Sequence, residues 1–573
     1  MPASVRRLRR SVCAAALLVV ATALLVAVPA SADPVPSGYT YTDHWYTSHD
    51  GIQIHAGVFL PADRAEDEQH PVLMNIGPYT APNGGAAGGN LEGIINRNPE
   101  LWGHPAFKAG RWAYVQVDAR GFGGSEGCFE YYMANEAADA KVSVEWAAQQ
   151  PWSTGKVGMW GKSYDGAQQV LAMAAKPEGL AATVIQAPGL SAYTALWHNG
   201  VHYATGRYAT TGVYTGDDIF VPQNLDTIGS PEYAKAALSP VTSLPGNPTC
   251  RTDALVGMNA IRYRTDPFWT PKEPYFAAKG SDVPTFWVHG FFDANTKPVH
   301  NEIWESLTGP KKAWFGQWDH IRGHENGVGR QEYFLDEAFR FLDEHVRGIV
   351  PATDEHVVTV QSGNGEGRWR NEAVWPPVDN QPWTMPIRPG AYSDAPGNTG
   401  SGSEAGKAHW TFTQPLPHAA HLAGEATVAL ETVTLVPDAH SVAHVYDVAP
   451  DGTATLVTRG AKAAPETGAA KREFTLYPQD WVFEAGHRIA VHLSGSDDDW
   501  YSPGLSQTEV TIDAGSLTLP LLRYIRDEFI PGGPSRSMGQ TASVSDETMQ
   551  GATVETEMPP AQEPRPTEPA PAE

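Results

Sequence analysis

Residues 157–166 read Val-Gly-Met-Trp-Gly-Lys-Ser-Tyr-Asp-Gly, and few local structures accommodate them. The apolar start suits a buried strand, Gly161-Lys162-Ser163 a sharp reversal, and 167–173 (Ala-Gln-Gln-Val-Leu-Ala-Met) a helix. Strand, tight turn and helix with a serine at the corner make a nucleophile elbow. Gly161 permits the turn and Gly166 gives the new helix room against the sheet. Ser163 is therefore expected to project alone at a strand end, beside the free backbone N–H groups of a helix start. The second glycine stands one place later than in G-x-S-x-G, with Asp165 intervening. As a bare pattern, that spacing also describes an ordinary glycine-bounded turn.

The flanking sequence predicts the sheet such an elbow needs. Residues 39–47 and 52–60 alternate as two strands around Asp50-Gly51, 72–76 and 112–118 are short buried strands, and 135–149 has helical spacing. Alternating strand and helix predicts a parallel sheet covered on both faces. The rhythm continues at 182–185, breaks over an aromatic insertion at 189–282, and resumes at 285–289 and 313–315, with an amphipathic helix at 331–348. The first domain is thus expected over 33–188 and 283–350. Short alternating runs within 351–525 predict a second domain, a β-sandwich of jelly-roll type. Ser, Thr, Glu and Pro dominate 533–573, which predicts a disordered, acidic, proline-rich tail.

Arg6, Arg7, Arg9 and Arg10, an apolar run at 12–28 and Ala30-Ser31-Ala32 predict a secretory signal peptide over 1–32, and hence a secreted protein. Paired arginines leave the Sec and twin-arginine routes both open. No later run is apolar enough to span a bilayer, so no membrane contact is expected after leader removal. Taking four arginines and no acid from 40 basic and 65 acidic side chains leaves a net charge of −29, which argues against nucleic acid as a partner. Cys13 departs with the leader, and Cys128 and Cys250 are expected to pair as a disulfide in an exported chain.

A serine nucleophile needs a base within hydrogen-bond reach and an acid that orients the base. In α/β-hydrolases these follow the serine in the order acid, histidine, each on a loop after a strand. Strand 285–289 is followed by Gly290-Phe291-Phe292-Asp293, and strand 313–315 by Gly316-Gln317-Trp318-Asp319-His320. The expected triad is Ser163, Asp293, His320. Asp293 is equally placed to cap a turn beginning near Thr296, and Asp319 and Asp282 are rival acids, although Asp319 is too close to His320 in sequence to orient its ring.

These segments, together with Gly77-Pro78-Tyr79, resemble the motifs of the cocaine-esterase and X-prolyl dipeptidyl-peptidase family of serine hydrolases, whose G-x-S-Y-x-G accounts for the displaced glycine. The resemblance spans roughly 39–520 and includes Arg264 to Trp269, Trp369-Arg370, Trp375-Pro376-Pro377, Asp447-Val448, Pro450-Asp451-Gly452 and Gly486-His487-Arg488. Gln317 departs from the proline frequent there. The resemblance implies an α/β-hydrolase fold with a helical cap (189–282) and a carboxy-terminal jelly roll. It also implies an oxyanion hole made by the Tyr79 phenol and the Tyr164 N–H, and no cofactor or catalytic metal. Asp165 reads either as a cap of the elbow helix or as a carboxylate for a substrate α-ammonium group; Trp197, Trp269 and Phe292 are candidate substrate contacts. The expected substrate is a small ester or amide or a short peptide, cleaved by an esterase or acylase or by an X-prolyl dipeptidyl-peptidase. An inactive exported binding protein is the reading from another class. Oligomeric state is not legible.

Overall fold

The structure, a computed structural model, describes residues 35–79, 95–204, 257–353, 355–364, 367–394, 408–497, 500–504, 506, 508–534 and 540–566. The expected leader, the middle of the insertion and Cys250 lie outside them. Among the described residues no helix is long and apolar enough to cross a membrane.

Ten strands form one mixed sheet. Strands β1 (Tyr39–Thr47) and β2 (Gln53–Pro61) make the expected hairpin and join β4 (Ala113–Asp118) antiparallel. From β4 the sheet runs parallel through β3 (His70–Gly77), β5 (Ser153–Lys162), β6 (Leu180–Gln186) and, after the small hairpin β7 (Trp197–His198) and β8 (Val201–His202) in the insertion, β9 (Thr285–Gly290), β10 (Lys311–Gly316) and β11 (Val358–Gln361). Strand β12 (Trp369–Glu372) closes the edge antiparallel. The first sheet therefore reaches residue 372, past the boundary expected at 350, because the short run after the amphipathic helix pairs with β10 rather than with the sandwich. Helices α1 (Ala134–Ala148), α2 (Tyr164–Ala175) and α3 (Gln331–Leu342) cover the faces, and the buried side chains between them form three apolar clusters.

Two antiparallel sheets make up the second domain. One is built on the strand Glu509–Leu522, which pairs with Thr427–Thr434, Asn380–Ile387 and Gly390–Ser393. The other runs through His409–Phe412, Arg488–Ser494, Ala439–Val448 and Thr453–Ala464 to Thr541–Ser543. That last strand corrects the expected disordered tail. Within 540–566 the chain adds an edge strand and a helix, α4 (Asp546–Ala552), whose Met549 and Ala552 pack with Ala542 and Val544 against Trp410 and Tyr446. A few spaced apolar side chains suffice, although the overall composition is polar.

The domains meet behind the loop that carries His320. The Gln317 side-chain amide donates to Gln479 Oε1 (2.8 Å) and to the carbonyls of Gln361 (3.1 Å) and Asp480 (3.0 Å). Buried Arg370 forms ion pairs with Asp480 and Glu372. Glutamine in place of proline at 317 thus ties the loop to the sandwich.

Candidate active site

Ser163 stands between β5 and α2 with φ 67° and ψ −121°, a left-handed backbone that a serine adopts only where the surroundings hold it. Its N–H donates to the Gln186 carbonyl (2.9 Å) at the end of β6. A Cβ on Gly161 would lie 2.4 Å from Asp165 Cβ, and one on Gly166 2.9 Å from the Gln186 oxygen, so both glycines are dictated by close approach.

The acid and base arrive on the loops after β9 and β10. Phe291 N–H bonds the Gly316 carbonyl (2.7 Å) and Phe292 N–H the Trp318 carbonyl (3.1 Å), which laces the two loops together. Asp293 Oδ2 accepts from His320 Nδ1 (2.9 Å). A carboxylate only accepts, so the His320 proton sits on Nδ1 and Nε2 is left as the base. Asp293 Oδ1 accepts the N–H groups of Asn295 (2.8 Å) and Thr296 (2.9 Å). Capping its own turn and orienting a histidine are therefore done by one carboxylate. Asp319 instead takes the Ala294 N–H (2.8 Å), and Asp282 precedes β9 at the opposite end of the strand.

Two partners of Asp293 were not foreseen. His289, in β9, and Thr296 donate to Oδ2 at 3.2 and 2.8 Å. Burial alone would raise the Asp293 pKa, but the charge and hydrogen bonds of His320 and His289 hold it well below the usual range. The Thr296 hydroxyl also lies 3.4 Å from His320 Nδ1 and 3.1 Å from the Ala187 carbonyl, and Lys162 Nζ donates to the His320 carbonyl (3.2 Å), so acid, base and serine converge at the end of β6. No Ser163–His320 hydrogen bond is made among the described residues, a looseness usual before substrate tightens such a site.

Ser163 Oγ instead accepts from the Tyr79 hydroxyl (3.3 Å), whose oxygen accepts the Tyr164 N–H (3.4 Å). An oxygen placed between them would receive both hydrogens, the requirement for an oxyanion hole. Both donors are braced. The Arg97 guanidinium lies 3.8 Å from the Tyr79 ring centre. The Tyr164 hydroxyl donates to buried Glu136 (2.6 Å), which also accepts from Gln168 (2.7 Å) and which burial pushes up to about 7.

The other candidates separate. Asp165 is 1% exposed; its Oδ2 accepts from Arg97 Nε (2.6 Å) and Asn75 Nδ2 (3.1 Å). This corrects the substrate-ammonium reading of Asp165, whose carboxylate is spent on Arg97 and Asn75; the acid does stand in the first turn of α2, where a negative charge is favourable. Trp269 is fully buried, its N–H on the Ile261 carbonyl and its ring edge-on to Tyr193, so it builds the insertion's core rather than a substrate wall. Trp197 bonds the Met258 carbonyl (2.8 Å) and lines a cavity of about 290 Å³ formed with Arg264, Pro298, Glu302 and Glu425. Phe292, 8% exposed, flanks Asp293. Cys128 is disulfide-bonded; its expected partner, Cys250, lies outside the described residues.

Fold and site together define an α/β-hydrolase, an enzyme with a serine, histidine and aspartate at the carboxyl ends of a parallel sheet. Comparison with known proteins narrows the class. Residues 50–322 match the X-Pro dipeptidyl-peptidase (S15) family and 351–538 the X-Pro dipeptidyl-peptidase C-terminal non-catalytic domain. The chain belongs to the cocaine-esterase and X-prolyl dipeptidyl-peptidase family of serine hydrolases. It is 22% identical to a Mycobacterium bovis protein described as a serine esterase, over 86% of this chain and 97% of that one. It is also 22% identical to a Streptomyces avermitilis protein described as a Xaa-Pro dipeptidyl-peptidase, over 91% of each. A CocE/NonD family hydrolase from Staphylococcus aureus has the same fold, with TM-score 0.64 and 14% identity over 87% of this chain and 99% of that one.

Proposed function

We propose that this protein is an exported esterase or acylase working through an acyl-enzyme. The observation that carries the reading is the Tyr79 hydroxyl lying 3.3 Å from Ser163 Oγ and 3.4 Å from Tyr164 N. His320 Nε2 takes the Ser163 proton as Oγ adds to the substrate carbonyl. The resulting oxyanion accepts from Tyr79 and Tyr164, and the same proton then goes to the leaving group. Water repeats the sequence on the acyl-enzyme. Export is supported by the amino-terminal pattern of arginines, apolar run and small residues, and by the disulfide at Cys128, since such bonds persist in oxidising compartments.

A dipeptidyl-peptidase must hold a free α-ammonium group, and the burial of Asp165 against Arg97 removes the acid that the elbow offered for it. The peptidase remains the second reading because Glu302 and Glu425 line the cavity that follows the Asp293 loop. The deciding experiment compares a small activated ester, a free-amino X-Pro amide and its amino-blocked form, with Ser163→Ala as control. Ester turnover that depends on Ser163, without a preference for the free-amino amide, supports the esterase or acylase. Cleavage of the free amide alone establishes the peptidase. Inertness toward all three and toward serine-directed probes returns the chain to an exported binding protein.

A further inference from the structure

After Leu342, helix α3 passes into one π-helical turn, Asp343–Arg347, which ends at Gly348 with φ 76°. Single π-helical turns within α-helices are rare and are frequently found at functional sites. Here the turn brings His345 Nε2 to 3.1 Å from His356 Nε2, two residues before β11, with Glu344 Oε2 at 3.9 and 3.6 Å from the two nitrogens. Phe341 backs both rings at 4.6 and 6.1 Å. The three side chains remain 11–23% accessible, enough for an ion to enter.

Two imidazole nitrogens and a carboxylate oxygen facing one point are the donor set of a zinc-type ion. Bonds of ~2.0–2.1 Å at tetrahedral angles put ligand atoms ~3.3 Å apart, and the observed 3.1, 3.6 and 3.9 Å bracket that spacing. Within the trio the two nitrogens lie within hydrogen-bond length of each other and both stand beyond it from the carboxylate. The turn packs on β5, and Lys156 of that strand lies near His345. The other group with ligand spacing among the described residues, His49, Asp50 and Asp139, differs in that Arg120 already pairs with both of its carboxylates, at 3.1 and 2.6 Å.

We propose that Glu344, His345 and His356 bind one divalent transition-metal ion of the zinc type, with water completing its coordination. The site is structural. Lys156 stands near the start of β5 and Ser163 follows its end, and seven residues of strand separate them by ~23 Å. Its ligands bracket the connection from α3 to β11, so an ion there fixes the link from which the chain proceeds to the sandwich.

The test uses the full-length chain without a polyhistidine tag, stripped with a chelator and dialysed against Zn²⁺ alone, with metal measured per chain. About one equivalent is expected, with a Zn²⁺-dependent rise in Tm and, on Co²⁺ substitution, a visible absorption band. Loss of metal and of the Tm rise is expected in His345→Gln and His356→Gln, while their Ser163-dependent ester hydrolysis matches wild type at a temperature where all are folded. Clearly substoichiometric zinc in the wild type overturns the proposal, as does full stoichiometry retained in both variants. Should a variant fail to fold, the wild-type stoichiometry and Glu344→Gln decide.

Discussion

Replacing Tyr79 by phenylalanine removes one oxygen and leaves the rest of the site standing. That oxygen lies 3.3 Å from Ser163 Oγ and 3.4 Å from Tyr164 N. The ring it leaves behind still carries Arg97 on its face at 3.8 Å and still packs on the apolar cluster of Phe129, Tyr164 and Trp197. The variant should therefore fold with an almost unchanged Tm. In the transition state the oxyanion keeps the Tyr164 N–H and loses the phenol. Removal of one such donor typically costs about 3 kcal/mol, which is a fall in kcat of roughly 150-fold. KM should move little, because the donor acts on charge that develops only after attack. Steady-state hydrolysis of an activated ester, with calorimetry on the same preparation, measures both quantities. A kcat within about threefold of wild type, equivalent to less than 1 kcal/mol, refutes the assignment. A lowered Tm with proportionate loss of activity would show the hydroxyl to be a packing group.

Asp165→Asn leaves Arg97 without its buried counter-charge and should destabilise by ~3–5 kcal/mol, lowering Tm and affecting free-amino and blocked substrates alike; a selective rise in KM for free-amino substrates at unchanged Tm would restore the ammonium-binding reading. Gly77→Ala places a Cβ 1.8 Å from Asp165 Oδ1, so a loss of at least ~1–3 kcal/mol is expected along with reduced kcat, because Tyr79 lies two residues on; wild-type stability in urea titration would show that the backbone yields. His55 is buried between Asp118 (2.8 Å) and Asp43 (3.0 Å). Burial opposes its charge, but the two carboxylates outweigh it and raise His55 to about 9 from 6.5. The folded state therefore holds the proton more tightly. The pair contributes fully below pH 6.5 and is lost as pH rises through 9, ~3 kcal/mol in all; His55→Gln should flatten the alkaline limb of the stability profile, and an unchanged limb refutes the linkage.

The parts of the molecule legible in sequence are those where one residue type answers one local demand. The elbow could be read because only glycine fits at 161 and 166, and the strands because burial on both faces leaves runs such as 72–76 apolar but for one residue, Asn75. The order of Ser163, Asp293 and His320 follows from the connectivity of a parallel sheet, in which loops at the carboxyl ends share one rim. What escaped has no local signature. Arg97, Glu136 and His289 lie 66, 27 and 126 positions from Ser163, and each is identified only by the partner that the fold delivers to it. Asp165 shows the same limit from the other side. Its position two residues past the nucleophile advertised a charge facing substrate, yet a helix side chain's direction is decided by what lies behind it, here Asn75 and Arg97. The tail failed for a different reason, since composition averages over residues whereas an edge strand and a short helix need only Ala542, Val544, Met549 and Ala552 at the right spacing. A sequence reading of this site thus identifies the groups that do chemistry more readily than the charges that hold them. The same holds for the cavity lined by Trp197, Glu302 and Glu425, whose walls come from the insertion, the segment after Asp293 and the sandwich, so that no single motif announces it.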